Sequence, residues 1–575
     1  MTPSQTTATC DSRQDPRQNS RRWSRLDQAQ ATADFQDPFR PACSQREYAH
    51  LHGIPPSTLA DWLHEPVPEG VEPAVAAFFR TPAGQRFLRR QVLAAHLAFR
   101  QVGPCGIRTL ALFLRWSWLD RFVGASYGAV QRLAGSVQGL LLDLQAEQQP
   151  LLAADMTAKT IALVPDENFH QGGPCLVAIE PVSNFIVVEQ YADHRDADTW
   201  TKAIKAATTA LKVEVVLVPS DRASALIACA RDGLQARHLP ELFHGQRDLA
   251  RPFMASLQRQ KEAAQKQLEQ AEQLAKDWRD EAAKATAAPP RPGRKPHYAW
   301  WVEFSRRQAQ RATEHLKACA ARQEQAKAAV RGLGDDYHPF DSQTGQAVMA
   351  EQMEQRLGQH LQKLEALAEQ APLGSKAKEA LTGGRRWLVA LVGMVGWFWM
   401  LVEERVAELD LAEEAEGAVL ERLLPGLYWQ AAARRGRTAE ERQGKEELAK
   451  RLLQEAWSAS GALAGLTEEQ RREVERVSKE VVGLFARSSS CVEGRNGRLS
   501  LFGHGQTRLS SNRLKALTVV HNYLVRREDG TTAAERFFGK KHPDAFEWLL
   551  ERLPELPRPA AKRPKKTAPS SSQPA

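Results

Sequence analysis

The segment TIALVPDENFHQGGPCLVAIEPVSNFIVVEQYA (160–192) carries β-branched, apolar runs over 160–170, 174–184 and 185–192, separated by turn residues. Such runs read as strands, and Pro181–Asn184 (PVSN) reads as a hairpin turn between the second and the third. Working outward, DADTWTKAIKAATTALK (196–212) has the periodicity of an amphipathic helix. VEVVLVPSDRAS (213–224) reads as another buried strand and ASALIACARDGL (223–234) as a helix.

Three strands, a helix, a strand and a helix predict a mixed sheet flanked by helices, the order of an RNase H-like fold. Beyond about residue 250 the pattern becomes helical. Leu257, Ala264, Leu268, Ala271, Ala275 and Trp278 follow heptad steps, interrupted by AAPPRPGRKPH (287–297), before a second charged helix from Trp301 to about Val330. The pair predicts an antiparallel coiled-coil arm. The apolar run Trp387–Val402 is shorter than the ~18–20 residues a membrane span needs and is flanked by Arg385, Arg386, Glu403, Glu404 and Arg405, so a buried helix is expected there.

Upstream, CSQREYAHLHGIPPSTLADWLHE (43–65) predicts a helix-turn-helix. Ser44 and Glu47 form a capping box, Gly53 ends the first helix, Ile54 plugs the turn, and Pro56 opens a second helix whose Leu59, Trp62 and Leu63 face inward. Ser57, Thr58 and Asp61 are left to face a DNA groove. GIRTLALFLRWSWL (106–119) and SYGAVQRLAGSVQGLLLDL (126–144) form a further helical pair, with packing or DNA reading as its alternatives.

The chain of 575 residues is long enough for several domains, and its net charge of +9 favours an anionic partner such as nucleic acid. The 7 cysteines form no CxxC pair, which argues against a zinc site or a disulfide framework. The N-terminus lacks the apolar core of a signal peptide.

Carboxylates stand at matching places. Asp166 (VPDENF) and Asp221 (VPSDRA) each close a β-run, and Glu493 sits in the polar segment RSSSCVEGRNGRLS (487–500). Asp155 and Glu167 are rivals for the first position. His170, Arg222, His244 and Arg495 lie close enough in sequence to reach phosphates.

The segments VPDENF, LVAIEPVSNFIVVEQYADHRDADTW, SDRASAL, PELFH, SSSCVEGRNGRL and NRLKALTVVHNYLVRREDGTTAAERFFG (512–539) together resemble DDE transposases of bacterial insertion sequences. The resemblance implies that Asp166, Asp221 and Glu493 are the catalytic, metal-binding triad, with two Mg²⁺ ions (Mn²⁺ able to substitute) and double-stranded DNA as partner. His244, Arg495 and Asn496 would then touch DNA, and Glu493 and Asn496 would share a helix face with Ser490.

The expected architecture is a multidomain α+β chain. Its segments are a disordered N-terminus (1–40), a helix-turn-helix region (41–150), an RNase H-like catalytic domain in two parts (151–250 and 475–545), a helical coiled-coil insertion (251–474) and a basic tail (546–575). The resemblance further implies a homodimer on DNA, no membrane association and a cytoplasmic, nucleoid-associated location in a bacterium. The competing expectation is an inactive, transposase-derived DNA-binding regulator or architectural protein.

Overall fold

The structure, a computed structural model, describes residues 23–560 apart from 171–172, 222, 289–295, 372, 435, 486–489, 506–508 and 528, and apart from the side chains of His170, Phe243 and Ser490. The class is mixed α and β, mostly helical, with two small three-stranded sheets. Two compact units partition the chain: residues 1–149, 501–525 and 541–575 form one, and residues 150–500 and 526–540 the other.

In the first unit, helices Gln45–Leu51 and Pro56–Leu63 build the helix-turn-helix. Ser44 and Glu47 cap the first of them reciprocally, and Gly53 takes the positive φ of 65° that the turn requires. Tyr48, Ala49, Ile54 and Leu59 are buried together, with Trp62 and Leu63 against them; Leu51, by contrast, is exposed.

The segment 1–40, expected to be disordered, instead contains a helix at Arg25–Gln36, while residues 1–22 lie outside the described residues. Ser24 and Asp27 cap this helix, and Ala31, Phe35 and the preceding Trp23 pack on the helix-turn-helix. The tail expected at 546–575 likewise opens on a helix, Ala545–Arg552, whose Trp548 and Leu549 are buried. Its Glu547 pairs with Arg90.

The second unit holds both sheets. One is parallel and ordered β1 (Lys159–Ala162), β5 (Val213–Ser220), β6 (Arg237–Pro240); the other is antiparallel and ordered β2 (Val164–His170), β3 (Gly173–Glu180), β4 (Phe185–Tyr191). Only Leu163 separates β1 from β2, and its N–H donates to the Leu217 carbonyl on β5 at 2.9 Å. The chain therefore runs from one sheet into the other without a turn, and the strand order across both is β4, β3, β2 continuing β1, β5, β6. The expected hairpin joins β3 to β4, with Asn184 at a φ of 64°.

Trp200 and Ile204 of helix Ala197–Thr209 fill one face of this assembly against Leu176, Ala178, Val188, Val215 and Val218. Helix Glu468–Leu484 lies against β1, where Glu480 accepts from the Thr160 N–H and hydroxyl, both at 2.9 Å. The returning helix Ala533–Phe538 stacks Phe537 on Phe185 at 4.4 Å.

Helices Leu242–Ala287 and Tyr298–Asp336 pair antiparallel, as the contacts Gln258–Gln323 and Trp278–Trp301 require. The heptad positions Leu257, Ala264 and Ala275 are buried. At its base the pair shares one apolar core with helices Ala350–Gln370 and Ser375–Ala407. Ser375–Ala407 is long and apolar enough to cross a membrane, but half of its most apolar window is buried inside the protein, including Trp387, Leu391, Val395 and Phe398.

Gly245 shows how tightly this base is packed, because a Cβ there would lie 2.1 Å from the buried Trp387 indole. In an open helix Gly→Ala stabilises by up to about 1 kcal/mol. Here Gly245→Ala is expected to destabilise by about 1–3 kcal/mol through overpacking, read as a lower melting temperature.

Candidate functional site

β1 and β5 run parallel with Ala162 opposite Leu217. Asp166 and Asp221 each lie four residues beyond that pair, and Asp221 is near enough for its charge to act on the Asp166 carboxyl. Asp221 follows the last residue of β5, as the sequence suggests. Asp166 lies within β2 rather than at a strand end, because the strand continues into the antiparallel ladder.

The rivals for the first position turn elsewhere. Glu167 is held by Arg195 at 2.8 Å, and Asp155 is paired with Lys540 at 3.0 Å.

Glu493 lies in the first turn of helix Ser490–Gly505, with a half-exposed side chain. That helix is fastened to the sheet at two points. Asn496 donates from Nδ2 to Asp166 Oδ2 at 2.8 Å, while its carbonyl accepts from Asn168 at 3.3 Å. Arg495, expected to reach DNA, is instead 4% exposed and forks onto Glu189 of β4, Nε to Oε1 at 2.7 Å and Nη2 to Oε2 at 2.5 Å.

Asp166 stands opposite Val177, and Val177 opposite Glu189, so both anchors fall on one cross-strand row. Adjacent residues on one helix diverge by about 100°, which lets Arg495 and Asn496 reach the two ends of that row.

His244, near the start of helix Leu242–Ala287, pairs through Nδ1 with the buried Glu241 carboxylate and places Nε2 4.0 Å from Glu493 Oε1. The Glu241 N–H donates to the Ser220 carbonyl at 3.0 Å, tying this helix start to the end of β5. His238 on β6 lies 3.0 Å from Ser220 Oγ and 3.3 Å from the Asp221 carbonyl.

Sequence reading passed over Glu189, Glu241, His238 and β6 itself. Glu189 alone carried a signal, as a charge inside an apolar strand run. Arg222, Ser488 and Ser489, together with the side chains of His170 and Ser490, lie outside the described residues. In the other unit, Ser57 and Asp61 are exposed and Thr58 is half-buried on helix Pro56–Leu63.

Burial pushes the Asp166 carboxyl up to about 6, helped by the neighbouring charges of Glu167 and Asp221 and opposed by the Glu167 N–H and His244. Among the described residues no three His, Cys, Asp or Glu side chains gather closely enough to enclose one ion. The oxygen chemistry nevertheless suits a hard cation. Asp166 is held deprotonated only at a cost, and Asn496 Oδ1 beside it is buried without a hydrogen-bond partner.

Residues 419–565, which include Glu493, Arg495 and Asn496, match DUF6399, a family of unknown function. No curated protein matches the chain.

Removing one partner of a buried ion pair strands the other charge. Arg495→Met is thus expected to cost about 3–5 kcal/mol in urea unfolding, with most of the loss recovered when Glu189→Gln is added.

The raised Asp166 carboxyl also fixes a sign. With a folded-state value near 6 against 3.8 for the free group, folding favours the protonated form. That contribution is full below pH 3.8 and is lost as pH rises through about 6. Without divalent ions, Asp166→Asn should therefore be more stable than wild type at pH 7–8, by up to about 3 kcal/mol. The advantage should close towards pH 4 in a melting-temperature series.

Proposed function

We propose that this chain is a DDE-type DNA transposase, cutting and joining phosphodiester bonds at the ends of a mobile element. The observation that carries this reading is the placement of Asp166 and Asp221 four residues beyond the paired Ala162 and Leu217, with the Glu493 helix fastened to the first of them by the Asn496–Asp166 bond. The strand order β4, β3, β2/β1, β5, β6 supports an RNase H-like catalytic domain. The helices between β6 and Glu468–Leu484 then constitute an insertion between the second and third acids.

Asp166, Asp221 and Glu493 would hold Mg²⁺ or Mn²⁺, with Asn496 Oδ1 as a neutral oxygen beside them. Bound there, the divalent ions supply charge stabilisation to both the entering and the leaving oxygen of an in-line displacement at phosphorus.

The chain's own residues set the geometry. Asn496 fixes the rotamer of Asp166, and Glu241 orients His244 so that Nε2 faces Glu493. In the cutting step a water oxygen bonds to phosphorus, the bond to the 3′-oxygen breaks, and the water gives up a proton. In the joining step the freed 3′-hydroxyl attacks a target phosphodiester in the same way.

The exposed face of helix Pro56–Leu63 (Ser57, Asp61) and the net charge of +9 suit binding of double-stranded DNA; that it binds the element's ends as a homodimer in a bacterial cytoplasm is part of the proposal. A second reading, an inactive DNA-binding regulator descended from such an enzyme, is favoured by one observation: the three acids do not close around a point.

Asp221→Asn and Glu493→Gln separate the two. Each should abolish Mg²⁺-dependent nicking and strand transfer on end-containing DNA while leaving its binding near wild type. Glu475→Gln, at an exposed position paired with Lys479, is the matched control. Glu480 does not serve as one, because it holds Thr160. Wild-type protein that binds DNA but never nicks it with Mg²⁺ or Mn²⁺ would establish the regulator.

A further inference from the structure

The far end of the antiparallel helix pair presents aromatic rings that the core does not use. Trp301 stacks on Trp278 of the opposite helix, with centroids 4.9 Å apart and planes 9° from parallel, so this pair closes the seam. Trp300 stands edge-on to Trp301 at 83° and turns outward, 51% exposed. One helical turn on, Phe304 is 37% exposed and stacks on Trp300 at 5.1 Å and 11°.

Continuing at i+7 and i+11 from Trp300, the same helix face carries the exposed Arg307 and Arg311. Arg306 and Arg307 both lean on Glu303, at 2.8 and 2.7 Å, which leaves the strip with a positive balance. From Trp300 to Arg311 the strip is about 16 Å long.

Aromatic faces in near-parallel register followed by guanidinium groups match a short run of unpaired nucleotides. Bases stack on rings whatever their sequence, and the phosphates that follow them meet the arginines. A duplex offers no free base faces, and an apolar protein partner gains nothing from the arginines. We propose that the Trp300–Phe304–Arg307–Arg311 face binds single-stranded DNA, with bases stacking on Trp300 and Phe304. This rests on the DNA-handling role proposed above, and the two fail separately. Nicking that Asp221→Asn abolishes, without stacking here, would leave the enzyme reading intact; stacking here without nicking would leave this site intact.

The test is a binding titration with full-length protein and labelled oligonucleotides of equal length: a mixed-sequence single strand, its duplex, and a strand with abasic positions. The double variant Trp300→Ala/Phe304→Ala should lose about 5- to 100-fold on the single strand and leave the duplex and the abasic strand within about twofold of wild type. Trp300→Phe/Phe304→Tyr should keep most of the single-strand affinity, and circular dichroism confirms that helicity is retained in each variant.

Unchanged single-strand affinity in the alanine variant would overturn the proposal. So would equal losses on the abasic strand, which would make the face a phosphate contact only. A shift from dimer to monomer in sedimentation that accounts for the lost affinity would instead make the face an interface between copies of the chain, and that too would overturn it.

Discussion

The buried fork between Arg495 and Glu189 is the constraint on which the candidate site depends. Both side chains are withdrawn from water, at 3% and 0% exposure, so their charges are tolerable only as a pair in near-ideal geometry. That demand sets the rotation of helix Ser490–Gly505 about its axis. With Arg495 directed down onto β4, Asn496 is carried over β2 and meets Asp166, and Glu493 is left on the half-exposed side facing His244. A pair of this kind adds little net stability over an apolar contact, but it tolerates few alternative arrangements. Here that intolerance translates into a defined position for Glu493.

The end of β5 launches the helical region. The Glu241 N–H binds the carbonyl that precedes Asp221, and three residues later His244 faces Glu493. Helix Leu242–Ala287 therefore begins at the site and continues into the coiled-coil pair. Gly245 against Trp387 locks its first turns to helix Ser375–Ala407, and Leu249, Phe253 and Leu257 join the large apolar core. A displacement of the helix pair would have to travel through this packed base to His244, since close-packed interiors transmit strain rather than absorb it. Asp166 shows the cost of the arrangement: a carboxyl whose charge is disfavoured by burial and by like charge nearby.

Much of the secondary structure was legible because periodicity is a local property. The β-branched runs, the PVSN turn, the Ser44 capping box and the heptads from Leu257 to Trp278 each record a face that must be buried, and each formed. What was missed lacks such a record. β6 is a short run, Arg237–Pro240, with two polar residues and no period, and it exists because β5 offers it a free parallel edge. Helix Arg25–Gln36 has a weak apolar pattern, but the helix-turn-helix supplies the surface that holds Trp23, Ala31 and Phe35. The C-terminal helix Ala545–Arg552 depends in the same way on its neighbours, as the Arg90–Glu547 pair shows.

The candidate site divides along the same line. The sequence by itself determined that Asp221 follows a strand, because an apolar run bound by polar residues marks that place; Asp166 was nameable too, but the strand expected to close there continues through it. It could not say which neighbour of Glu493 turns inward, since Arg495 and Asn496 are equally polar in a linear reading. Only the tertiary structure made Arg495 a buried anchor and Asn496 a hydrogen-bond donor to Asp166. The partner that decides the matter, Glu189, lies on a strand some 300 residues earlier. Charge pairing across such a distance is set by sheet register and helix rotation together, and neither leaves a periodic trace in the chain.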